Sequence, residues 1–403
     1  MERHRGVLPV HRPLSVQVLI VTNDLPPQVG GIQYYVDQLA RGLVAAGDDV
    51  VVFGSTSPGA ETFDATSPYR VVRRRTATLL PTPAVGRQVI DLIAEHRADV
   101  VLFGAAFPLG LLGARLRRRC GVPIVGFTHG LEVTAARTWL GRRLLRRIGS
   151  SVAALTFVSA WCESELQPAF GSGPIHQRLA PAIDPAAFHP GVSGARVRER
   201  HGLLDRPVVV TVSRLVERKG QDTLIRVLAD LRRLVPDTAL LVVGDGPHRA
   251  ALASSAERHG VADAVVFAGE VPDADLPEYF AAGDVFAFVP RERRRGLEVE
   301  AFGIVVIQAG AVGLPVVGGR TGGVPDAVGA PTAGVLVDPS DDAAVLASLA
   351  DLLTDPHRRR TMGEAAAARV ASNFTWAGRT ADLRKLLEAL NKSGGGASPP
   401  GGC

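Results

Sequence analysis

The residues best suited to chemistry in this 403-residue chain stand at the ends of apolar runs, next to glycines. One carboxylate, Glu300, precedes an Ala-Phe-Gly turn in the stretch RERRRGLEVEAFGIVVIQAGAVGLPVV (291–317). Behind the turn the pattern predicts a short apolar helix, roughly 304–312, stopped by Gly313 and Pro315 ahead of a strand at Val316-Val317. A helix that begins in a glycine-containing turn presents unpaired N–H groups and the positive end of its dipole, which suits a phosphate. Glu300 at its lip then faces whatever the phosphate carries, or else this is an ordinary loop-helix-strand unit with a surface glutamate. Glu298 stands two residues earlier, so an extended segment cannot aim both carboxylates into one site, and Glu300 is the better placed.

Further candidates follow other strands. SRLVERKG (213–220) comes directly after the apolar run Val208 to Val212, so Arg214 and Lys219 lie at a strand's carboxyl end. An arginine fork and a lysine point charge suit a diphosphate; the alternative is a solvated basic loop. Gly30-Gly31, at the entrance of the first helix, lets backbone approach a phosphate or sugar closely. His129, in FTHGLE, again follows a strand and is either functional or structural. Asp245, in the turn Gly244-Asp245-Gly246-Pro247, reads most simply as a turn former.

The elements that must position these residues alternate. Val16 to Val21 is a continuous apolar, β-branched run, as in a strand buried on both faces, and is followed by the loop TNDLPPQVGG and a helix with Ile32, Tyr35, Val36, Leu39 and Leu43 on one side. Further strands are expected at 50–53, 100–103, 123–127 and 154–158, then at 208–212, 239–243, 265–267, 285–289, 316–317 and 335–337. Helices are expected at 221–234, 249–259, 341–353, 357–373 and 376–389. The pattern lapses into Pro, Gly, Ser and Arg between Phe188 and Arg206, which reads as a linker. Alternating strands and helices imply α/β architecture with parallel sheets, in two doubly wound, Rossmann-like domains facing across a cleft. The expected domains are residues 1–190, joined by a crossing helix at about 374–391, and residues 191–373, with a disordered tail at 392–403 (KSGGGASPPGGC from Lys392).

Composition narrows the class. With 46% hydrophobic and 21% charged residues the chain is globular, and a net charge of +5 permits an anionic partner without pointing to nucleic acid. Three cysteines without metal-type spacing fit a reducing compartment and no structural zinc. The basic N-terminus leads into a first strand rather than a signal peptide, and no apolar run approaches the ~20 residues of a membrane span. The expected location is cytoplasmic, with a peripheral position on the inner face of the cell membrane left open. RTWLGRRLLRR (137–147) predicts a helix with Leu140, Leu144 and Ile148 on one stripe among arginines, lying either on anionic lipid or with its stripe in the core.

Taken together, NDLPPQVGGIQ, THGLE, VSRLVERKGQD, GDGP, EVEAFGIVVIQAGAVGLPVVGGRTGGVPD and NFTW make the chain resemble glycosyltransferase family 4 from Val16 to Ala389. These are retaining, nucleotide-sugar-dependent enzymes of the GT-B fold, in which the last helix crosses back to the first domain. Within the family the chain looks most like the bacterial phosphatidylinositol-mannoside mannosyltransferases. The resemblance implies that Arg214 and Lys219 hold the donor diphosphate, with Gly30 and Gly31 lying against it from the other domain. It implies that Glu300 binds the sugar hydroxyls, that the amides of Phe302, Gly303 and Ile304 cap the phosphate, and that the backbone at Glu270-Val271 meets the base. Gly244, in the GDGP turn, joins the donor-binding set, and His129 matches the family histidine near the reacting carbon. Two departures stand out: the family motif's second glutamate is Gln308 here, and the glycine after the first is Ala301. Gln offers the ribose one carbonyl acceptor where a carboxylate offers two oxygens, so weaker donor binding or an altered nucleoside preference is expected.

The activity implied is metal-independent, cofactor-free hexosyl transfer from a nucleotide-diphosphate sugar, GDP-mannose or a UDP-sugar. The acceptor hydroxyl belongs to an inositol or cyclitol lipid or a natural product. The alternatives are a nucleotide-sugar epimerase and a non-catalytic nucleotide-sugar-binding homologue. A nicotinamide dehydrogenase is disfavoured because no G-x-G-x-x-G follows the first strand. Oligomeric state is left open.

Overall fold

The structure is a computed structural model that describes residues 15–294 and 296–394. Thirteen strands are found among them. The first seven are β1 (Gln17–Thr22), β2 (Asp49–Ser55), β3 (Arg70–Arg74), β4 (Val100–Phe103), β5 (Ile124–Thr128), β6 (Ala154–Phe157) and β7 (Ile175–Arg178), in the sheet order β3-β2-β1-β4-β5-β6-β7. The other six are β8 (Val208–Val212), β9 (Ala239–Val243), β10 (Val265–Gly269), β11 (Val285–Phe288), β12 (Val316–Gly319) and β13 (Gly334–Val337), in the order β10-β9-β8-β11-β12-β13. Both orders reverse beside their first strand, which is the doubly wound pattern of a Rossmann-like sheet. By contact density the chain divides inside β5 into two compact units, residues up to 125 with those from 384 onward, and residues 126–383.

The strands form where continuous apolar runs can be buried on both faces. Val18, Leu19, Ile20 and Val21 of β1 are fully buried, as is every residue of β8 but for traces. The two strands that escape sequence reading, β3 (RVVRR) and β7 (IHQR), are the edges of their sheet and only partly buried. Edge strands have one solvated side and so carry charge, which erases the apolar signature. The stretch expected as a linker holds a short helix, Ala195–Arg200. Arg198 helps to explain it, donating to the Ala282 carbonyl at 2.9 Å and to Asp284 Oδ2 at 2.9 Å, so that a polar segment burying Val197 alone is fixed largely by ion pairing.

The C-terminal helix, Trp376–Gly394, passes from the second unit into the first. It runs beyond the 391 limit expected, because Leu386, Leu387 and Leu390 stay buried to its last turns. Of the tail expected at 392–403, residues 395–403 lie outside the described part. Within the first unit the helix is anchored by Arg384, whose Nε lies 2.8 Å from Asp48 Oδ2, a carboxylate with no solvent exposure. Asp48 Oδ1 also accepts the Val16 N–H at 3.1 Å, at the entry to β1. Asp48→Ala would strand a buried guanidinium and a backbone donor together, so a loss of about 3–5 kcal/mol of stability is expected in urea unfolding.

Candidate active site

In the second unit the strand order reverses between β8 and β11, and a doubly wound sheet binds ligands outside the carboxyl ends of its strands at that point. The loops after those two strands carry Lys219 and Glu300. Gly220 brings them together: in the left-handed region at φ 81°, it lies so close to the end of β11 that a Cβ would sit 2.0 Å from the Val289 carbonyl oxygen. The Arg291 N–H then donates to the Arg218 carbonyl at 2.8 Å, joining the two loops. Lys219 rests over the Phe288 ring, 5.0 Å from its centroid.

Glu300 is the focus. Its Oε2 accepts from Lys219 Nζ at 2.5 Å and from Arg218 Nη1 at 3.0 Å, and its side chain is only 14% exposed. Burial alone would raise this carboxyl, but the charges of Lys219 and Arg218 and their hydrogen bonds outweigh it and hold Glu300 below the usual carboxylate range. The backbone after it turns at Gly303 (φ 89°), and the helix Ile304–Ala311 begins there, so its first amides are left without intrahelical partners. Gln308 is half-buried and four residues along from Ile304, on the same face of that helix. Glu298 turns elsewhere and pairs with Arg294 at 3.2 Å.

Arg214 is exposed, and among the described residues its guanidinium has no hydrogen-bond or ion-pair partner. Its loop is stitched to those after β9 and β10. The Leu215 N–H donates to the Asp245 carbonyl at 2.9 Å, and the Gly244 N–H to the Gly269 carbonyl at 2.8 Å, immediately before Glu270-Val271. Asp245 behaves as a turn former, its Oδ1 accepting from Gly246 N at 2.6 Å. Thus Arg214, Gly244 and Glu270-Val271 share one end of the sheet with Lys219 and Glu300.

The loop after β5 meets the Glu300 loop directly. A Cβ on Gly130 would fall 2.6 Å from the Ala301 methyl, so His129 is the immediate neighbour of a residue touching the motif. The His129 N–H donates to Glu132 Oε2 at 3.1 Å, and Glu132 is buried in the first turn of the helix Glu132–Ala136. Gly30 and Gly31 belong to the first unit, where Gly30 caps the helix Gly31–Ala45 and no atom lies within 4 Å of where a Gly31 Cβ would be. In that unit the loop before them is braced by Arg73, which donates to the Pro26 carbonyl at 2.7 Å and the Ser55 carbonyl at 2.8 Å. Asp24, in the same loop, accepts from Gln33 Nε2 at 3.0 Å and is pushed up by burial.

Sequence reasoning singled out Lys219 but passed over Arg218 and Arg73. The loop holding Arg214, Arg218 and Lys219 has no period, so nothing in the sequence tells which cation turns to Glu300. The arginine run before Glu300 is spent on ion pairs: Arg291 holds Asp222 at 2.9 Å and Arg293 pairs with Glu217. The helix expected from Arg137 starts instead at Trp139, after the Thr138 cap, and its buried face is Gly141, Leu145 and Ile148 rather than Leu140, Leu144 and Ile148. Close packing decides the rotation, since a Cβ on Gly141 would meet the Ala135 carbonyl oxygen at 2.0 Å. Among the described residues no group of three or more His, Cys, Asp or Glu side chains is arranged to hold a metal ion.

A Rossmann-like sheet in each half, and a carboxylate at a helix N-terminus beside a basic loop, are features of the nucleotide-sugar glycosyltransferases. HepE of Anabaena, solved in complex with UDP, superposes with a TM-score of 0.78 over 93% of this chain and 100% of that one at 20% identity, which establishes the fold. The family model "Glycosyltransferase Family 4" matches residues 29–181 and "Glycosyl transferases group 1" matches 195–369. A GDP-mannose-dependent alpha-(1-6)-phosphatidylinositol monomannoside mannosyltransferase of Mycolicibacterium smegmatis is 46% identical over 380 residues, 93% of this chain and 99% of the relative. A GDP-mannose-dependent monoacylated alpha-(1-6)-phosphatidylinositol monomannoside mannosyltransferase of Corynebacterium glutamicum is 36% identical over 382 residues, 93% and 98% of the two chains. The chain belongs to glycosyltransferase family 4 and is a hexosyltransferase.

The Glu300 cluster has a pH signature. Because the folded-state carboxyl is held below its unfolded value, its stabilising contribution is complete above the ordinary carboxylate range and is lost as pH falls through the depressed value. The stability difference between wild type and Glu300→Gln, followed by denaturant unfolding from about pH 6 to about pH 3, should therefore shrink towards the acid end.

Proposed function

We propose that this protein transfers mannose from GDP-mannose to a hydroxyl of an inositol-containing lipid, with retention at the anomeric carbon and no metal. The observation that carries this is the buried Glu300, gripped by Lys219 and Arg218 at the mouth of the helix Ile304–Ala311. The donor and acceptor classes come from the relatives that match nearly the whole chain.

The roles follow from charge. Arg214 and Lys219 hold the diphosphate, with Arg218 beside them, and the amides of Phe302, Gly303 and Ile304 cap it. Glu300 binds the hydroxyls of the sugar, and keeps both cations oriented before donor arrives. Gly244 and the backbone at Glu270-Val271 receive the nucleoside, and Gln308 accepts from one ribose hydroxyl through its single carbonyl oxygen. Gly30 and Gly31 offer the donor their backbone at the entrance of the helix Gly31–Ala45, where a Cβ on Gly31 would meet no atom within 4 Å, and His129 lies by the reacting carbon. The bond from the anomeric carbon to the departing phosphate oxygen breaks while the acceptor oxygen bonds to the same face of that carbon. The acceptor's proton passes to the phosphate oxygen, giving mannoside and GDP. Developing negative charge on the diphosphate is what the cations and amides stabilise, so the protein's contribution is electrostatic and positional.

Arg214→Ala and Lys219→Ala should each lower turnover roughly a hundredfold or more, measured as GDP released by mass spectrometry from GDP-mannose and vesicles carrying phosphatidylinositol monomannoside. Full activity in both variants would sink the assignment.

The acceptor class also calls for a membrane surface, and the helix Trp139–Gly149 offers one. Trp139 (76% exposed) stands with Arg142, Arg143 and Arg146 around an open hollow, and the next residue, Leu140, is 57% exposed. No helix among the described residues is long and apolar enough to cross a membrane, and the contact proposed is a peripheral one. In liposome flotation, binding should require anionic lipid, weaken with salt, and be lost in a Trp139→Ala, Arg143→Ala double variant.

A further inference from the structure

Beneath the Glu300 loop lies a contact that none of the roles above uses. Ser159 caps the helix Ala160–Phe170, its Oγ accepting the Cys162 N–H at 3.1 Å. The same hydroxyl spends its one proton on the Ala301 carbonyl, at 2.7 Å, and Ser159 is 2% exposed. Cys162 Sγ adds a weak donor to that carbonyl at 3.7 Å. The preceding carbonyl, that of Glu300, accepts the Gly323 N–H at 2.9 Å. Gly323 lies so close that a Cβ there would fall 1.9 Å from the Ala301 oxygen. Asp326, three residues on, accepts the Ala160 N–H at 2.5 Å, tying the capped helix to the same segment.

Resting on the proposed donor site, we propose that Ser159 is a positioning residue for transfer. It pins the Ala301 carbonyl and so aims the Phe302 N–H at the departing phosphate. The reason is the geometry of the peptide group: it is planar and trans, so the carbonyl of Ala301 and the N–H of Phe302 point in opposite directions, and anchoring one directs the other. With the Glu300 carbonyl fixed from Gly323, two successive peptide planes are set, and with them the base of the Glu300 side chain. A serine placed only to cap its helix has no need of the second bond.

Capping and positioning separate because glycine is nearly as good a helix cap as serine yet cannot donate to a carbonyl. Ser159→Gly should keep its melting temperature within about 2 °C of wild type and bind GDP within about threefold, while kcat with GDP-mannose and phosphatidylinositol-monomannoside vesicles falls about tenfold or more. Asp355→Gly removes the cap of the helix Pro356–Asn373, where Oδ1 accepts the Arg358 N–H at 2.9 Å, and should leave kcat unchanged. A Ser159→Gly kcat no lower than that of Asp355→Gly overturns the inference alone, as does a fall in kcat matched by an equal loss of GDP binding. Wild-type protein that neither binds GDP nor turns over GDP-mannose overturns the proposed function, and this inference with it.

Discussion

A buried carboxylate shared by two cations is the interaction on which the rest of the second unit turns. Desolvation makes an ionised Glu300 costly at its depth, and Lys219 and Arg218 together offset that cost. The three groups come from two loops, with Glu300 lying 81 residues from Lys219 and 82 from Arg218, so their meeting ties the end of β8 to the end of β11. The cluster also holds its positive charge in a fixed geometry, beside helix amides that carry a partial positive charge of their own. Under the proposed function, a site built this way would present cations to a diphosphate without reorganising them, which is where electrostatic catalysis gains most.

Backbone contact, more than side-chain packing, sets that geometry. Gly220 abuts the Val289 carbonyl and Gly323 the Ala301 carbonyl, both closer than any side chain allows. The arginine run before Glu300 reinforces them from outside: Arg291 and Arg293 reach back to Asp222 and Glu217, on or beside the loop that holds Lys219. The run therefore braces the two loops against each other, and the cations turned to Glu300 come from the loop after β8.

The two departures from the family motif fall on different parts of this arrangement. Ala301 is absorbed by a glycine opposite, since its methyl occupies the space that a side chain at Gly130 would need. Gln308 lies a full turn into the helix Ile304–Ala311, and the ion pairs of Glu300 are made to Lys219 and Arg218. A neutral amide there leaves the charge pairing around Glu300 untouched, and under the proposed function it alters only what the ribose hydroxyls can donate to.

The sequence by itself determined the alternating strands and helices of both sheets, because runs such as Val18–Val21 and Val208–Val212 must be buried on both faces whatever surrounds them. It also singled out Glu300 and Lys219, since a carboxylate before a glycine turn and a cation after a strand are local patterns. It did not reveal the edge strands β3 and β7, whose solvated sides admit charge, or the rotation of the helix Trp139–Gly149, which close backbone contact at Gly141 decides. Which cation reaches Glu300, and that Ser159 reaches Ala301, depend on non-periodic loops brought together from distant parts of the chain. Such contacts leave no trace in local spacing, because their partners are chosen by where the strands end in space, and only the tertiary structure sets that.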